Sequence, residues 1–556
     1  MAAITYMDFS GGLDRRLPIS VQDANKLWTL RNAYVTLGKR LKKRPCLRKR
    51  AEGLTGSFGL KAINGRLNVF CDATSGYFPP IEVDSIELGA PSWANGTALR
   101  DVHYADIFNG FPYIVAQYEN GAIAHHYVDV TAKTFTITVA SPAVVTLTDH
   151  GYVAGQEIVF STTGALPTGL TAGTVYYVLP LTPTPSASSF QVSATPGGPA
   201  INTTGTQSGV HTSTTRTPIT DPNNPRSISV TKAASRVFAI GGEVVRYCAA
   251  GGPRDWTTAS DAGFLPVALQ QDTKSGCTAV GTFQDSLVVF FSENAQIWNV
   301  AVDPSANTIS KRNAGAGCEA PLSLASFAND LMFLSPYGFR SMTVQAVNSR
   351  IDDADVGVPI DTLVQPDVDF TGNLTDGNQI FGGWIHQLGQ YWAVFDMETY
   401  SKAWVYTYSK SSKLACWSEY IFPIKIEAIT TLAGKVYLRS EDVLYDVVDD
   451  STSDDGALVN VEIQMAFQDA KSPGVAKQVY GADLVVAGSP DLSYKYDPRD
   501  LGKESIPQRI TGDTRPDDIV PVEIQCPAIA PVFRHALDEA FELDALTLYY
   551  NPLGTL

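Results

Sequence analysis

The stretches GTFQDSLVVFFSENAQIWNV (Gly281–Val300) and ASFANDLMFLSPYGFRSMTV (Ala325–Val344) decide the fold that the sequence predicts. Each contains a turn pair, an apolar strand, a second turn and an aromatic-rich strand. A repeat of roughly 40–50 residues is typical of propeller blades, because no single blade can bury its own apolar face. The sequence therefore predicts an all-β protein built on a β-propeller of about seven blades. The five weaker copies are AINGRLNVF from Ala62, IFNGFPYIVAQY from Ile107, ASRVFAIGGEVVRYC from Ala234, IHQLGQYWAVFD from Ile385 and TTLAGKVYLRSEDVLYDV from Thr430.

The composition favours strands and turns over helices. The chain has 556 residues with 45 Gly and 33 Pro, and it is too long for one compact core. We therefore expect one large β-domain with one or two smaller ones. No apolar run approaches the ~18 residues that a membrane span needs. The first residues lack the basic and apolar regions of a secretory signal, and the seven cysteines have no metal-binding spacing.

Charge is distributed unevenly along the chain. Residues 1–50 hold twelve Lys and Arg against three Asp, so their formal charge is +9 and that of the remaining chain is −25. A basic arm on an acidic body can bind nucleic acid or an acidic protein partner, or it can simply be solvated.

Changes in composition and strand pattern along the sequence predict five regions. Residues 131–216 contain few charges and many Thr, Gly, Pro and Ser, with five or more short strand-like runs, which indicates a small β-sandwich or barrel inserted between blades. The polar run DDSTSDDG (Asp449–Gly456) separates the last blade from a further β-rich, sandwich-like region. The predicted domains are a basic arm at 1–55, blades at 56–130, the insertion at 131–216, blades at 217–449 and a C-terminal β-domain at 450–556.

No catalytic or cofactor-binding pattern emerges from the sequence. A phosphate-binding GxxxxGK loop, a GxSxG elbow and an HExxH pair are all absent, so we expect no enzyme activity, no cofactor and no metal. Asp352, Asp353 and Asp355 belong to an acidic run that could hold a cation or supply paired carboxylates. A solvated acidic loop or a repulsive channel lining is the favoured interpretation.

The N-terminal region resembles the opening of the tail nozzle proteins of short-tailed bacteriophages, also called tail tubular protein B or tail hub proteins. In that family a GG…N…G-x-L-x-x-RP arm precedes a β-propeller, and the blade phrases from Gly281 and Ala325 are also similar. The resemblance covers about two-thirds of the chain. The matching residues of the arm are Phe9, Gly11, Gly12, Asn32, Gly38, Arg40, Leu41, Arg44 and Pro45.

The segment from Leu147 to Gly198 is similar to a small β-module inserted in many phage virion proteins. The likeness lies in its HG turn, its GALPTGL loop, its YYV strand and its FQVS strand. His150 and Gly151 are expected to determine a turn rather than to bind a ligand. This resemblance implies a structural protein of a virus particle.

The first hypothesis follows from the nozzle resemblance. It implies a virion protein, assembled in the host cytoplasm, that forms a homohexameric ring below the portal and its adaptor. Genome DNA passes through the lumen without sequence-specific binding, and fibre, spike or needle proteins attach to the tail. An acidic lumen, for which Asp352, Asp353 and Asp355 are candidates, would repel phosphates so that duplex slides. The basic residues expected to contact neighbouring subunits or the adaptor are Arg15, Arg16, Lys39, Arg40, Lys42, Lys43, Arg44 and Pro45.

A second hypothesis is a receptor- or carbohydrate-binding adhesin built on the same propeller. Tyr176, Tyr177, Trp384 and Trp392 would then form exposed aromatic platforms, although aromatic residues in blades more often belong to the core. A propeller glycosidase would need two carboxylates facing a cleft, and the sequence offers no such pair.

Overall fold

The computed structural model is nearly all β. It describes residues 2–72, 77, 79–128, 132–148, 150, 152, 154–182, 186–195, 197–215, 218–270, 276–327, 329–348, 355–372, 380–514 and 519–555. The chain divides into two compact units, one of residues 1–53, 268–299 and 308–556 and the other of residues 54–267 and 300–307.

Three blade sheets belong to the unit that starts at residue 54. Each contains antiparallel neighbours joined by short turns, although the last strand of blade 1 runs parallel to the second. Their strands are Ser57–Ile63, Arg66–Asp72 and Val83–Leu88 in blade 1; Leu99–Phe108, Phe111–Tyr118 and Ile123–Tyr127 in blade 2; and Val230–Ala233, Arg236–Ile240, Val245–Tyr247 and Gly263–Leu265 in blade 3.

Four further blade sheets belong to the other unit. Neighbouring strands within each blade are antiparallel and follow one another along the chain, except for the N-terminal strand that completes blade 7, and the propeller class follows from this repeated pairing. Their strands are Ala279–Phe283, Ser286–Phe290, Ala295–Asn299 and Thr308–Ala314 in blade 4; Ala325–Phe327, Asp330–Ser335 and Gly338–Ser341 in blade 5; Ile380–Ile385, Gln390–Asp396, Ser401–Ser409 and Leu414–Phe422 in blade 6; and Ala428–Leu432, Lys435–Ser440, Val443–Val448 and Cys46–Glu52 in blade 7. The described residues thus contain seven blade sheets, and the predicted fold class is confirmed.

The hairpin turns explain why the repeat is visible in the sequence. Asn64-Gly65 and Asn109-Gly110 connect their strands with both residues at positive φ. A two-residue type I′ turn requires that conformation, and Asn-Gly adopts it at low cost. Apolar strands on either side of such turns therefore pair in one register.

The inserted segment forms a closed six-stranded barrel. Its first and last strands pair with each other, so the barrel has no open edge, and its interior holds Phe135, Phe160, Tyr176 and Phe190. The chain enters and leaves at one place, since His126 forms a bridge with Pro218. The strands are Lys133–Ile137, Val145–Thr146, Glu157–Thr162, Val175–Pro180, Ser189–Ser193 and His211–Thr215.

A carboxyl group at the start of one barrel strand predicts a pH dependence of stability. Burial, with a further contribution from Asp72, raises the pKa of Glu157 from 4.5 to about 7, and among the described residues Oε2 has no hydrogen-bond partner. The folded state therefore binds a proton that the unfolded state releases, and stability falls as the pH rises from about 4.5 to about 7.

Glu157→Gln is expected to remove this dependence and to stabilise the protein above pH 7 by at most about 3 kcal/mol. Denaturation midpoints measured at pH 5 and pH 8 check this, with the exposed Glu119→Gln as the matched control. An unchanged pH slope in Glu157→Gln would contradict the assignment.

The C-terminal region forms a sandwich of two sheets that share a core. Leu27, Ile463 and Phe533 from one sheet are buried in the same apolar cluster as Val479 and Leu546 from the other. The first sheet contains Lys26–Arg31, Val461–Met465, Ala530–His535, Asp491–Lys495 and Gln508–Arg509, with Gly12–Leu13 beside Lys26–Arg31; the second contains Ala33–Val35, Leu41–Lys43, Glu542–Thr555, Val475–Ala487 and Val520–Cys526, with Ala2–Tyr6 beside Glu542–Thr555.

The N-terminal segment is not the separate arm that the sequence predicts. Its strands pair with both sandwich sheets and supply the fourth strand of blade 7. Sequence reasoning missed this because the partner strands lie between 391 and 502 residues away along the chain, where local periodicity carries no information. The C-terminal domain is likewise not self-contained, since both of its sheets include N-terminal strands.

Short helices complete the described structure. The α-helices of the described residues are α1 (Met342–Asn348) and α2 (Asp361–Gly372), which both lie between blades 5 and 6 along the chain. Single-turn 3₁₀ helices occur at Ser92–Ala94, Val267–Gln270, Pro304–Ala306 and Pro321–Ser323. A short hairpin consists of two strands of two residues each, Ser453–Asp454 and Ala457–Leu458. Among the described residues no helix is both long and apolar enough to cross a membrane.

Candidate functional site

Asn32 and Arg44, two of the residues that carry the nozzle resemblance, meet where the N-terminal strands join blade 6 and the sandwich. Asn32 has a φ of 53°, a conformation that asparagine tolerates better than most residues. Its side-chain nitrogen donates to Asn460 O at 2.8 Å, and its Oδ1 accepts from Ile421 N at 2.7 Å and from Arg44 Nε at 3.1 Å. One side chain thus connects three distant segments.

Arg44 forms a buried ion pair at the same place. Its guanidinium donates to both carboxylate oxygens of Asp454 and to Ile421 O at 2.8 Å, and it lies 4.3 Å from the ring centre of Phe422. The side chain of Arg44 is 1% exposed and that of Asp454 is 3% exposed. Asp454 Oδ1 also accepts from Leu47 N at 2.9 Å. Every strong donor and acceptor of the pair is therefore engaged, which is the condition under which a buried ion pair is tolerated.

Close backbone packing explains the paired glycines of the motif. Gly12 has a φ of 55°, and a Cβ there would lie 2.5 Å from Cys416 Cβ in blade 6. A Cβ on Gly11 would lie 2.7 Å from Asn25 O. Leu41 and Pro45 are buried, whereas a Cβ on Gly38 would make only ordinary van der Waals contacts. Gly11, Gly12, Leu41 and Pro45 therefore serve packing inside this unit, and Gly38 is not constrained in this way.

The basic residues expected to bind a partner protein are engaged within the chain. Lys43 is buried and donates to the carbonyls of Thr452, Leu537 and Glu539, and burial lowers the pKa of its ammonium. Arg15 stacks on the ring of Trp28. Arg16 pairs with the buried Asp14 at 2.7 Å, and the more exposed ion pairs are Lys39 with Asp8 at 3.2 Å, Arg40 with Asp544 at 3.2 Å and Lys42 with Asp449 at 3.8 Å.

These contacts change the interpretation of the +9 charge in residues 1–50. Arg40, Lys42 and Arg44 pair with carboxylates of residues 449–544 and so help to attach the first strands to the rest of the unit, whereas Arg16 and Lys39 pair with carboxylates of the N-terminal region itself. Contacts of these side chains with a neighbouring subunit or an adaptor stay a prediction.

The acidic candidates are only partly within the described residues. Asp352 and Asp353 lie outside them. Asp355 is buried and accepts hydrogen bonds from the backbone nitrogens of Ser341 and Val356, at 3.1 and 2.8 Å, and from the Gln345 amide. Its burial raises its pKa. Asp355 therefore organises the backbone beside α1, and the interpretation as an exposed loop or lumen acid is wrong for this residue.

A row of alternating charges crosses the sheet that blade 6 shares with the sandwich. Neighbouring strands place Glu419, Arg31, Glu462 and Arg534 directly opposite one another. The carboxylate–guanidinium distances are 3.1 Å for Glu419–Arg31, 3.5 Å for Arg31–Glu462 and 3.5 Å for Glu462–Arg534. Opposite charges facing each other across strands stabilise the pairing, so this row favours the register that joins blade 6 to the sandwich.

The row continues to the end of the sheet. Asp491 is the register partner of both Arg534 and Arg509, and Arg509 Nη2 lies 2.8 Å from Asp491 Oδ2. Hydrogen bonds from Arg509 lower the pKa of Asp491. Sequence reasoning missed the row, although one signal was present: single charges stand within the apolar strands LACWSEYIF, VNVEIQMAF and APVFRH.

The aromatic residues of the adhesin hypothesis do not form an exposed platform. Tyr176 and Trp392 are buried, and Tyr177 and Trp384 are half-buried. Trp384 stacks on Phe327 with ring centres 4.5 Å apart. These side chains stabilise the barrel and the blades, so no observation favours a receptor site at them.

The adjacent histidines of blade 2, His125 and His126, are buried and form hydrogen bonds with neighbouring groups. His125 contacts the Tyr113 hydroxyl at 2.7 Å and Ser227 O at 2.8 Å, and His126 contacts the Tyr118 hydroxyl at 3.2 Å. Burial lowers the pKa of His125 to about 4 and that of His126 to about 3. Within the described ranges, no group of three or more His, Cys, Asp or Glu residues is arranged to hold a metal ion.

Comparison with known proteins adds little to this description. No family model matches the chain, and no curated protein matches it. Among solved structures, the chain is similar to BamB from Moraxella catarrhalis, with 9% identity over 62% of this chain and 82% of that one and a TM-score of 0.27. It is also similar to the Pan2 WD40 domain from Neurospora crassa, with 10% identity, coverage of 65% and 92%, and a TM-score of 0.28.

An exo-beta-1,3-galactanase from Phanerochaete chrysosporium matches with 10% identity, coverage of 58% and 95%, and a TM-score of 0.20. With TM-scores this low, the three likenesses carry no argument about function. The propeller assignment rests on the strand pairing of the chain itself.

Proposed function

We propose that this chain is a structural tail protein of a short-tailed bacteriophage, the nozzle or hub through which genome DNA leaves the particle. The observation that carries the proposal is the junction of Asn32, Arg44 and Asp454. Two residues of the arm motif that resembles the nozzle family, Asn32 and Arg44, hold the first strands against blade 6 and the sandwich through this contact. These two motif residues thus have a structural role, which is to attach the first strands to the rest of the unit.

The proposed role includes a homohexameric ring below the portal and adaptor, with fibre, spike or needle proteins attached, in virions assembled in the host cytoplasm. Electrostatics supports the passage of DNA. The chain carries a net charge of −16, and four of the N-terminal cations, Arg40, Lys42, Lys43 and Arg44, have carboxylate or carbonyl partners within the chain. A conduit needs weak phosphate contacts, because each phosphate that a cation neutralises releases counterions and so strengthens adhesion to the duplex.

A duplex-binding measurement tests this electrostatic part of the proposal. At physiological salt we expect no retention of duplex DNA by the purified protein in a mobility assay. A matched variant with Asp449→Asn, Glu542→Gln and Asp544→Asn frees Arg40 and Lys42, and we expect it to bind DNA measurably. Salt-sensitive duplex binding by the unaltered protein would contradict the conduit role.

Cosedimentation with the tail adaptor of the same phage tests the place in the tail. We expect a stable complex of the two proteins that carries several copies of this chain. Failure to associate with the adaptor, combined with binding to bacterial surface glycans, would move the assignment to the adhesin.

A further inference from the structure

A small cleft opens where the strand Lys26–Arg31 meets the last strand of blade 6. These two strands face each other in parallel register only at Arg31 and Glu419, so they diverge beyond that position. The cleft has a volume of about 120 Å³, and its walls include Leu13, Trp28, Leu363 and Trp404. This volume exceeds the roughly 10–15 Å³ that one water needs, so the cleft has room for a small organic group.

Two of the three cations in the cleft have carboxylate partners. Lys402 Nζ lies 2.8 Å from Asp367 and 3.0 Å from Glu419, and Arg31 Nε lies 3.1 Å from Glu419. The side chains of Lys402 and Glu419 are 14% and 9% exposed, so their charges are poorly screened by solvent. The charges of these four residues balance.

Arg15 is the third cation, and in the described part of the chain it forms no ion pair, although Glu419 of the same cleft attracts it electrostatically. Its guanidinium carbon lies 3.7 Å above the ring of Trp28, and its backbone nitrogen donates to Pro359 O at 2.7 Å, which holds the residue in place. In the described part of the chain no carboxylate oxygen lies within 4 Å of the guanidinium, and the buried Nε has no hydrogen-bond acceptor. A partly buried cation that no carboxylate contacts directly is costly, and an anion bound beside it would lower that cost.

We infer that this cleft binds one carboxylate on a short aliphatic stem, presented as a glutamate side chain by a partner protein. A carboxylate matches the planar fork of a guanidinium and can accept two hydrogen bonds from it. The stem would contact Leu13 and Leu363. The negative charge of Glu419 in the same cleft repels a doubly charged phosphate more strongly than a singly charged carboxylate. The inference does not depend on the tail role.

Butyrate, which reproduces the glutamate side chain, is the first probe, and butyramide is its uncharged isostere. At constant ionic strength we expect butyrate to raise the melting temperature of the protein in a saturable way and butyramide to have no effect. A capped peptide Gly-Glu-Gly is expected to act at least as strongly as butyrate, and its glutamine analogue is expected to be inactive.

Arg15→Gln is expected to weaken butyrate binding about tenfold or more, because the charge-assisted hydrogen bonds are lost. Arg16→Gln is the matched control, since Arg16 is adjacent in sequence, pairs with Asp14 and does not line the cleft. If Arg15→Gln does not fold, Arg15→Lys is the second variant. It keeps the positive charge but lacks the paired N–H donors of the guanidinium, so weakened butyrate binding is again expected.

Three results would overturn the inference. These are an equal response to butyramide, unchanged butyrate binding in both Arg15 variants, and tighter Arg15-dependent binding of inorganic phosphate than of butyrate. Binding of butyrate without binding of the glutamate peptide would exclude the partner side chain.

Discussion

Arg44→Ala is expected to destabilise the unit that contains the sandwich by about 3–5 kcal/mol, because it leaves the carboxylate of Asp454 buried without its cation. The variant also removes donors from Ile421 O and from Asn32 Oδ1. The measurement is the shift of the urea or guanidinium midpoint, followed by far-UV circular dichroism. A shift this large distinguishes a structural junction from a surface contact.

Two further variants make the Arg44 result specific. Arg40→Ala removes an exposed arginine of the same strand region that pairs with Glu542 and Asp544, and it is expected to cost at most about 1 kcal/mol. Arg44→Met combined with Asp454→Leu removes both charges and is expected to recover much of the loss. Equal effects of Arg44→Ala and Arg40→Ala would contradict the account of the junction.

Deletion of residues 2–53 is expected to abolish folding of blade 7 and of the sandwich. It removes the strand that pairs with Val443–Val448 and the strands that pair with Val461–Met465 and Glu542–Thr555. The remaining strands would expose unpaired edges and apolar faces, so we expect an aggregated product. The soluble fraction and its resistance to limited proteolysis measure this, and co-expression of residues 1–53 as a separate peptide is expected to restore both.

Deletion of the barrel is the control for that experiment. Lys133 and Ser213 are strand partners, and His126 forms a bridge with Pro218, so the ends of the insertion lie close together. Replacing residues 132–215 with a short Gly-Ser linker is expected to leave the other sheets folded. A soluble, protease-resistant protein without residues 2–53 would contradict the integrated role of the first strands.

Local features of the sequence predict the blades and the barrel well. Asn-Gly turns between apolar runs predict the first two blade hairpins, and low charge with many Thr and Gly marks the barrel. Both signals concern residues that are near one another in the chain, where turn geometry and alternation determine pairing.

The junction could not be predicted in the same way. In the sequence, Arg44 belongs to a basic arm and Asp454 to a polar linker. They become a buried ion pair only because the fold brings together two residues that are 410 positions apart along the chain. The cross-strand row from Glu419 to Arg534 depends on the register of strands from three regions of the chain. Such pairings follow from tertiary packing, and local sequence patterns carry no information about it.

The most direct test of the proposed function is the mass and top-view shape of the purified full-length protein, by light scattering and negative-stain imaging, alone and with its adaptor. The account predicts a sixfold ring with a hole wide enough for duplex DNA, forming alone or on the adaptor. A monomer or trimer without a hole under both conditions would contradict it.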